Sequence, residues 1–179
     1  MTENSERSRR WSRAFRWLVT LSLVGTILLM GAAVYSVALQ GWMSCGAGFP
    51  KCAGVWAPIF HPVETLSAEY TAAQILAEWS HRAIAFLTGL LMLAASAIAW
   101  WRITGFWLTT RLVIAATAVL PFEAWLGVVT GVPNPAFGYV ALHTVISLFV
   151  LGSLAIATAI LWRHTTRNTS TATDATATN

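Results

Sequence analysis

Charge is scarce in this chain. Only 10% of its 179 residues are Asp, Glu, Lys or Arg, where a soluble domain carries about 25%. With 56% hydrophobic residues, that scarcity excludes an ordinary soluble domain. Acid is scarcer than base, seven residues against eleven, for a net charge of +4. The excess does not make a nucleic-acid surface, because five arginines (Arg7, Arg9, Arg10, Arg13, Arg16) precede the first apolar run instead of sharing a folded face. They read as a positive-inside signal, and no nucleic-acid partner is expected. Cysteine is limited to Cys45 and Cys52, enough for one disulfide. What the chain has in quantity is tryptophan, ten residues, as suits a protein with two membrane interfaces to line.

The apolar runs set the architecture. Residues 1–16 are polar, basic and expected to be mobile. Trp17–Leu39 runs without a charge and at about 1.5 Å per residue reaches roughly 34 Å, enough to cross a bilayer core. A cleaved signal peptide ending near Ser36-Val37-Ala38 is the rival reading, and the run is long for one. Residues 40–70 form a connection broken by Gly and by Pro50, Pro58 and Pro62. Ser67 is the expected N-cap of a second helix running to Trp101, with Glu69 in its first turn. A short loop, Arg102–Arg111, leads to a third span, Leu112–Thr130, containing Pro121 and Glu123. A turn over 131–135 leads to a fourth, Tyr139–Trp162. The tail, 163–179, is low-complexity and expected to be disordered. The fold class is therefore all-α, an integral membrane four-helix bundle. Basic residues gather at both termini and in the 102–111 loop, so both termini are expected in the cytoplasm and the cysteine loop outside, in the cell membrane.

Polar groups inside the runs mark the site. Glu78-Trp-Ser-His81-Arg82 lies near the start of the second run, and ionisable groups at membrane depth are costly and usually functional. Glu78 and His81 are spaced i,i+3 and share a helix face, with Arg82 at i+4. Counting inward from the outer side, His81 and His143 each lie seven or eight residues deep, roughly 10 Å. Glu123 lies seven residues before the outer end of its helix. Three helices thus place His81, His143 and Glu123 at one level, with Glu78 a turn nearer the surface. Two histidines facing across a four-helix bundle are a familiar way to hold haem iron. Ala77, Ala85 and Gly89 leave room beside His81. A closed zinc site fits less well, since it wants four ligands and the cysteines sit in another layer. Arg82 has two readings, a partner for a haem propionate or for Glu123 across the bundle. Cys45 and Cys52 lie on the oxidising side, either as a staple of roughly 2–3 kcal/mol or as a redox-active pair. His61 reads as a solvated loop residue and His164 as a tail residue without a role. Trp17, Trp42, Trp100, Trp101 and Trp162 read as interfacial anchors.

These residues together resemble a known family. Cys45-Gly-x-x-Phe49-Pro50-x-Cys52-x-Gly54-x-x-x-Pro58, then Glu78-x-x-His81-Arg82, then Leu126-Gly127 and Leu142-His143 are similar to the pattern of the haem A synthases. The match covers residues 17–162, and each piece is specific only in combination with the others. Family members typically have eight helices in two similar halves, and this chain resembles the N-terminal half. The resemblance implies oxidation of the haem O methyl group to a formyl group, giving haem A for cytochrome oxidase, with haem b as a second, resident haem. It implies His81 and His143 as axial iron ligands, Glu78 as the essential acid, Arg82 in haem binding, and Cys45 with Cys52 as the outer thiol pair. Three departures stand out. Phe49 replaces the usual Trp, Val37–Trp42 has no basic residue where the family's glycine-rich segment does, and the second half is missing. A half-length chain implies a homo-oligomer, most simply a dimer, with haem O synthase or the cytochrome oxidase assembly apparatus as further partners. The competing reading is a non-catalytic bis-His haem b electron-transfer or assembly subunit, to which Glu78 would be superfluous.

Overall fold

The computed structural model describes the backbone of residues 2–46, 48, 51–103 and 106–177, and the side chains of these apart from 2–5, 63 and 165–177. Phe49 and Pro50 lie outside the described residues. The described chain is helical: α1 (Thr2–Ala38), a 3-10 turn (Pro58–Phe60), α2 (Val63–Leu66), α3 (Ala72–Arg102), α4 (Trp107–Ala118), α5 (Leu120–Thr130) and α6 (Phe137–Ala177). Four stretches are long and apolar enough to cross a membrane: Glu6–Ala38, Ala72–Arg102, Trp107–Thr130 and Phe137–His164. The protein is a multi-pass membrane protein.

Several boundaries differ from those expected. The basic segment 1–16 is not a loose arm, because α1 begins at Thr2. No Gly or Pro occurs before Gly25 to interrupt it, and Glu6 and Arg10 stand at the i,i+4 spacing that supports a helix. At the other end the α6 backbone continues past Trp162 to Ala177, since no Gly or Pro follows Gly152 to stop it. Ser67 does not cap α3. Its hydroxyl accepts from the Glu69 and Tyr70 amides at 3.1 and 3.3 Å in the preceding turn. The cap is Thr71, in a capping box with Gln74. The third span is two helices, because Pro121 has no N–H to donate and the chain turns at Val119 before α5 resumes.

The ends of α1 and α3 are joined closely. Gln40 adopts a left-handed φ of 56°, and the Gly41 and Gln40 amides reach back to the Ser36 and Val37 carbonyls at 2.8 and 2.9 Å, a Schellman ending. Gln74 then donates from Nε2 to the Leu39 carbonyl at 3.0 Å, satisfying an acceptor the helix end leaves open. Gly41 is required here, since a Cβ would lie 2.7 Å from the Gln74 carbonyl oxygen. Deeper in, α1 and α3 cross at Gly25, where a Cβ would overlap the Thr88 hydroxyl. Neighbours run α1–α3–α4–α6 and back to α1, with α5 against α6. The two histidine helices, α3 and α6, therefore stand on the diagonal.

Apolar packing is concentrated at the two ends. The larger cluster joins Phe15 and Val19 to Met92, Ala95, Val113, Ala116, Val150 and Leu154, on the side of the termini. A smaller one joins Cys45, Cys52 and Ile75 on the loop side. His81 and His143 fall between these layers.

Candidate functional site

The site begins with the cysteine loop. Cys45 and Cys52 are disulfide-bonded, and both sulfurs lie against the Ile75 carbonyl in the first turn of α3, at 4.0 and 3.8 Å. Trp79 adds a bond from Nε1 to the Trp56 carbonyl at 2.8 Å. The loop is thereby held over the helix that carries Glu78, His81 and Arg82.

Glu78 is buried, 7% exposed. Its Oε2 accepts from the Ser36 hydroxyl of α1 at 2.8 Å, and its Oε1 accepts from Arg82 Nε at 3.0 Å. Arg82 then donates from its two terminal nitrogens to the Lys51 carbonyl at 3.0 Å and the Gly46 carbonyl at 2.7 Å. Of the two expected partners of Arg82, Glu123 does not have this role. Arg82 does not meet Glu123, because its side chain turns back along α3 towards the loop, where its planar fork fits the two carbonyls and its own i−4 carboxylate. Those three bonds use one N–H on each of its nitrogens, and a guanidinium carries five.

Glu123 has another partner. Proline at the start of α5 places Glu123 in that helix's first turn, facing α6. Its Oε1 accepts a short hydrogen bond from the Ser147 hydroxyl. Its Oε2 lies 3.4 Å from His143 Nδ1. His143 packs beside Gly127, where a Cβ would be 4.0 Å from its Cε1. Across the diagonal, His81 Nδ1 lies 3.4 Å from the Leu29 carbonyl of α1. Each histidine thus has an acceptor 3.4 Å from Nδ1, though at His143 the hydrogen bond is not completed. A proton on that nitrogen leaves the Nε2 lone pair for a metal, with the acceptor fixing tautomer and ring plane. No cluster of three or more His, Cys, Asp or Glu side chains gathers as a metal cage among the described residues. Axial ligation of a planar macrocycle asks only for a pair, and the donor set fits a haem on that ground.

Sequence reasoning foresaw the level shared by His81, His143 and Glu123 but missed three participants. The Leu29 carbonyl carries no sequence signal. Ser36 was legible only as a polar residue in an apolar run. Ser147 had a signal, since it stands i+4 from His143 and shares its face. His61 and His164 lie apart from the group. His61 is exposed and lines a cavity of about 90 Å³ with Pro58, Ile59 and Leu66. The His164 ring packs edge-on against Phe106 at 5.2 Å.

Comparison with known proteins bears on this arrangement. The chain is 28% identical over 152 residues, 84% of its length, to the haem A synthase of Bacillus pumilus, covering 46% of that protein. It is 24% identical over 151 residues to the haem A synthase of Geobacillus kaustophilus, covering 44% of it. It resembles the haem A synthases over most of its length. The chain spans about half the length of these relatives. A further similarity, 26% over 137 residues, is to a protoheme IX farnesyltransferase of Halobacterium salinarum, of which 27% is covered. No family model matches the chain, and no solved structure matches it.

Proposed function

We propose that this protein is a haem A synthase-like membrane oxidoreductase, converting the haem O methyl group to a formyl group. The observation that carries this reading is a buried carboxylate, Glu78, one helical turn from His81, one of two histidines that each have an acceptor 3.4 Å from Nδ1. In it, His81 and His143 hold haem as axial ligands, and bound haem supplies the iron chemistry by which the methyl carbon is oxidised. The chain's own residues do the rest. Glu78 holds or releases a proton, with Ser36 and Arg82 fixing its two oxygens. Arg82 pins the cysteine loop over the site and limits the entry of water. The termini and basic residues face the cytoplasm and the cysteine loop faces outward in the cell membrane. Each copy supplies one histidine pair, and a homo-oligomer, a dimer in its simplest case, would bring two pairs together. The resident haem is haem b, with haem O as substrate. Haem O synthase and the cytochrome oxidase assembly apparatus are the natural partners.

A second reading is a non-catalytic bis-His haem b carrier or assembly subunit. The full engagement of both Glu78 oxygens favours it, since a purely structural carboxylate would look the same. Pigment analysis separates the two. Protein purified after co-expression with a haem O source is extracted and its haems are resolved by chromatography. Haem A together with haem b is expected. Haem b alone supports the carrier, and a colourless protein defeats both.

A further inference from the structure

The two histidines are held by unlike acceptors. His81 Nδ1 faces a neutral backbone carbonyl at Leu29, whereas His143 Nδ1 faces the Glu123 carboxylate. The carboxylate is 15% exposed, and ionisable groups so placed in a membrane span are expensive unless they have a partner. Arg82, the nearby arginine that could have neutralised it, is committed to Glu78 and the loop carbonyls. Glu123 Oε2 and His143 Nδ1 are both buried without a completed hydrogen bond, and they stand 3.4 Å apart. Ser147 holds the other oxygen, so the carboxylate spans the i and i+4 positions of one face of α6 and has little freedom to turn away.

We propose that Glu123, anchored by Ser147, is the positioning residue of His143. It accepts the Nδ1 proton, fixes the ring plane and leaves Nε2 to bind iron. The negative charge would make that imidazole the more electron-donating of the two, which would favour the oxidised form of a bound haem iron. The inference rests on the reading of His143 as an axial ligand given above. It adds that the two faces of the haem are electronically unequal, and that the source of the inequality is on α5.

The test uses the purified full chain with the haem it carries from the cell. Glu123→Gln keeps the shape and an acceptor for Nδ1 but removes the charge. The bis-His spectrum should be retained. The midpoint potential in a redox titration should move positive of wild type, and haem transfer to apomyoglobin should accelerate by roughly 10- to 100-fold. A Glu78–Arg82 role or a merely structural role for Glu123 would not move the potential. An unchanged potential in Glu123→Gln overturns the proposal while leaving the ligand reading intact. A wild-type chain without haem overturns the ligand reading instead. If Glu123→Gln does not accumulate in membranes, Ser147→Ala carries the test, since it keeps the charge and frees the carboxylate. Faster haem loss than wild type is then expected, and an equal rate overturns the proposal.

Discussion

Replacing Glu78 by Gln removes a charge and a titratable proton while preserving side-chain shape. Two hydrogen bonds are affected, from Ser36 at 2.8 Å and from Arg82 at 3.0 Å. Charge-assisted bonds contribute about 1.5–3 kcal/mol and neutral ones about 0.5–1.5, so the exchange costs on the order of 1 kcal/mol per bond, roughly 2 in all. Arg82 keeps its bonds to Gly46 and Lys51 and is not stranded. Against a total stability of about 5–15 kcal/mol the fold survives, with melting lowered by roughly 4–8 °C. A proton-transferring side chain contributes about 10²–10⁴ in rate, far more than the stability change would explain. Haem occupancy, the visible spectrum and haem A yield are measured on one sample of Glu78→Gln and one of wild type. The expected result is unchanged bis-His absorption, near-normal occupancy and at least about 100-fold less haem A. Parallel loss of haem and product would make Glu78 a folding residue. Full haem A production would refute its catalytic part.

His81→Ala and His143→Ala should each abolish the low-spin bis-His spectrum, and wild-type spectra in both would remove the ligand assignment. Cys45 and Cys52 should resist alkylation until reduced, as mass mapping of protein from its native compartment will show, and two freely labelled thiols under non-reducing conditions would contradict the bonded pair. Gly41→Val should lower thermal stability by about 1–3 kcal/mol, because the new Cβ falls 2.7 Å from the Gln74 carbonyl, and an unchanged melting temperature would mean the joint between α1 and α3 is looser than it looks. In mild detergent the chain should run as an oligomer by light scattering, and a monomer that still forms haem A would defeat the need for two copies.

Much of the fold was legible because it depends on one-dimensional quantities. Four apolar runs of bilayer length fix four spans, and counting residues from the outer ends is enough to put His81, His143 and Glu123 at one depth. What could not be read was azimuth. Whether Glu123 meets Arg82 or His143 depends on how α5 is turned relative to α6, and that turn is set by the break before Pro121 and by the packing of α5 onto α6. Nor does sequence show that Arg82 pairs with Glu78 on its own helix instead of Glu123, because the rest of its guanidinium fork is satisfied by carbonyls in a loop tied down by a disulfide. The helix ends were misplaced for a related reason. Ser67 and Thr71 are both good caps, and only the second has a Gln three residues on to complete the capping box.

The uneven packing along the bundle gives the polar layer its direction. On the termini side, Phe15, Met92, Val113, Ala116 and Leu154 fill the space between helices with apolar atoms, offering Glu78 no donor or acceptor. On the loop side, its contacts run without a gap from the carboxylate to Arg82 and from Arg82 to the carbonyls of Gly46 and Lys51, beside the disulfide. Ser36 adds a hydroxyl from α1 at the same level. Polar contacts thus connect Glu78 to the cysteine loop. The loop and the carboxylate accordingly act as one device. The disulfide fixes the two carbonyls, the carbonyls fix Arg82, and Arg82 fixes the oxygen of Glu78 that would exchange a proton. An ion pair left to itself on an exposed helix face would contribute little. Held between a bonded loop and a buried serine, it sets the position of the one acid that lies a helical turn from a candidate iron ligand.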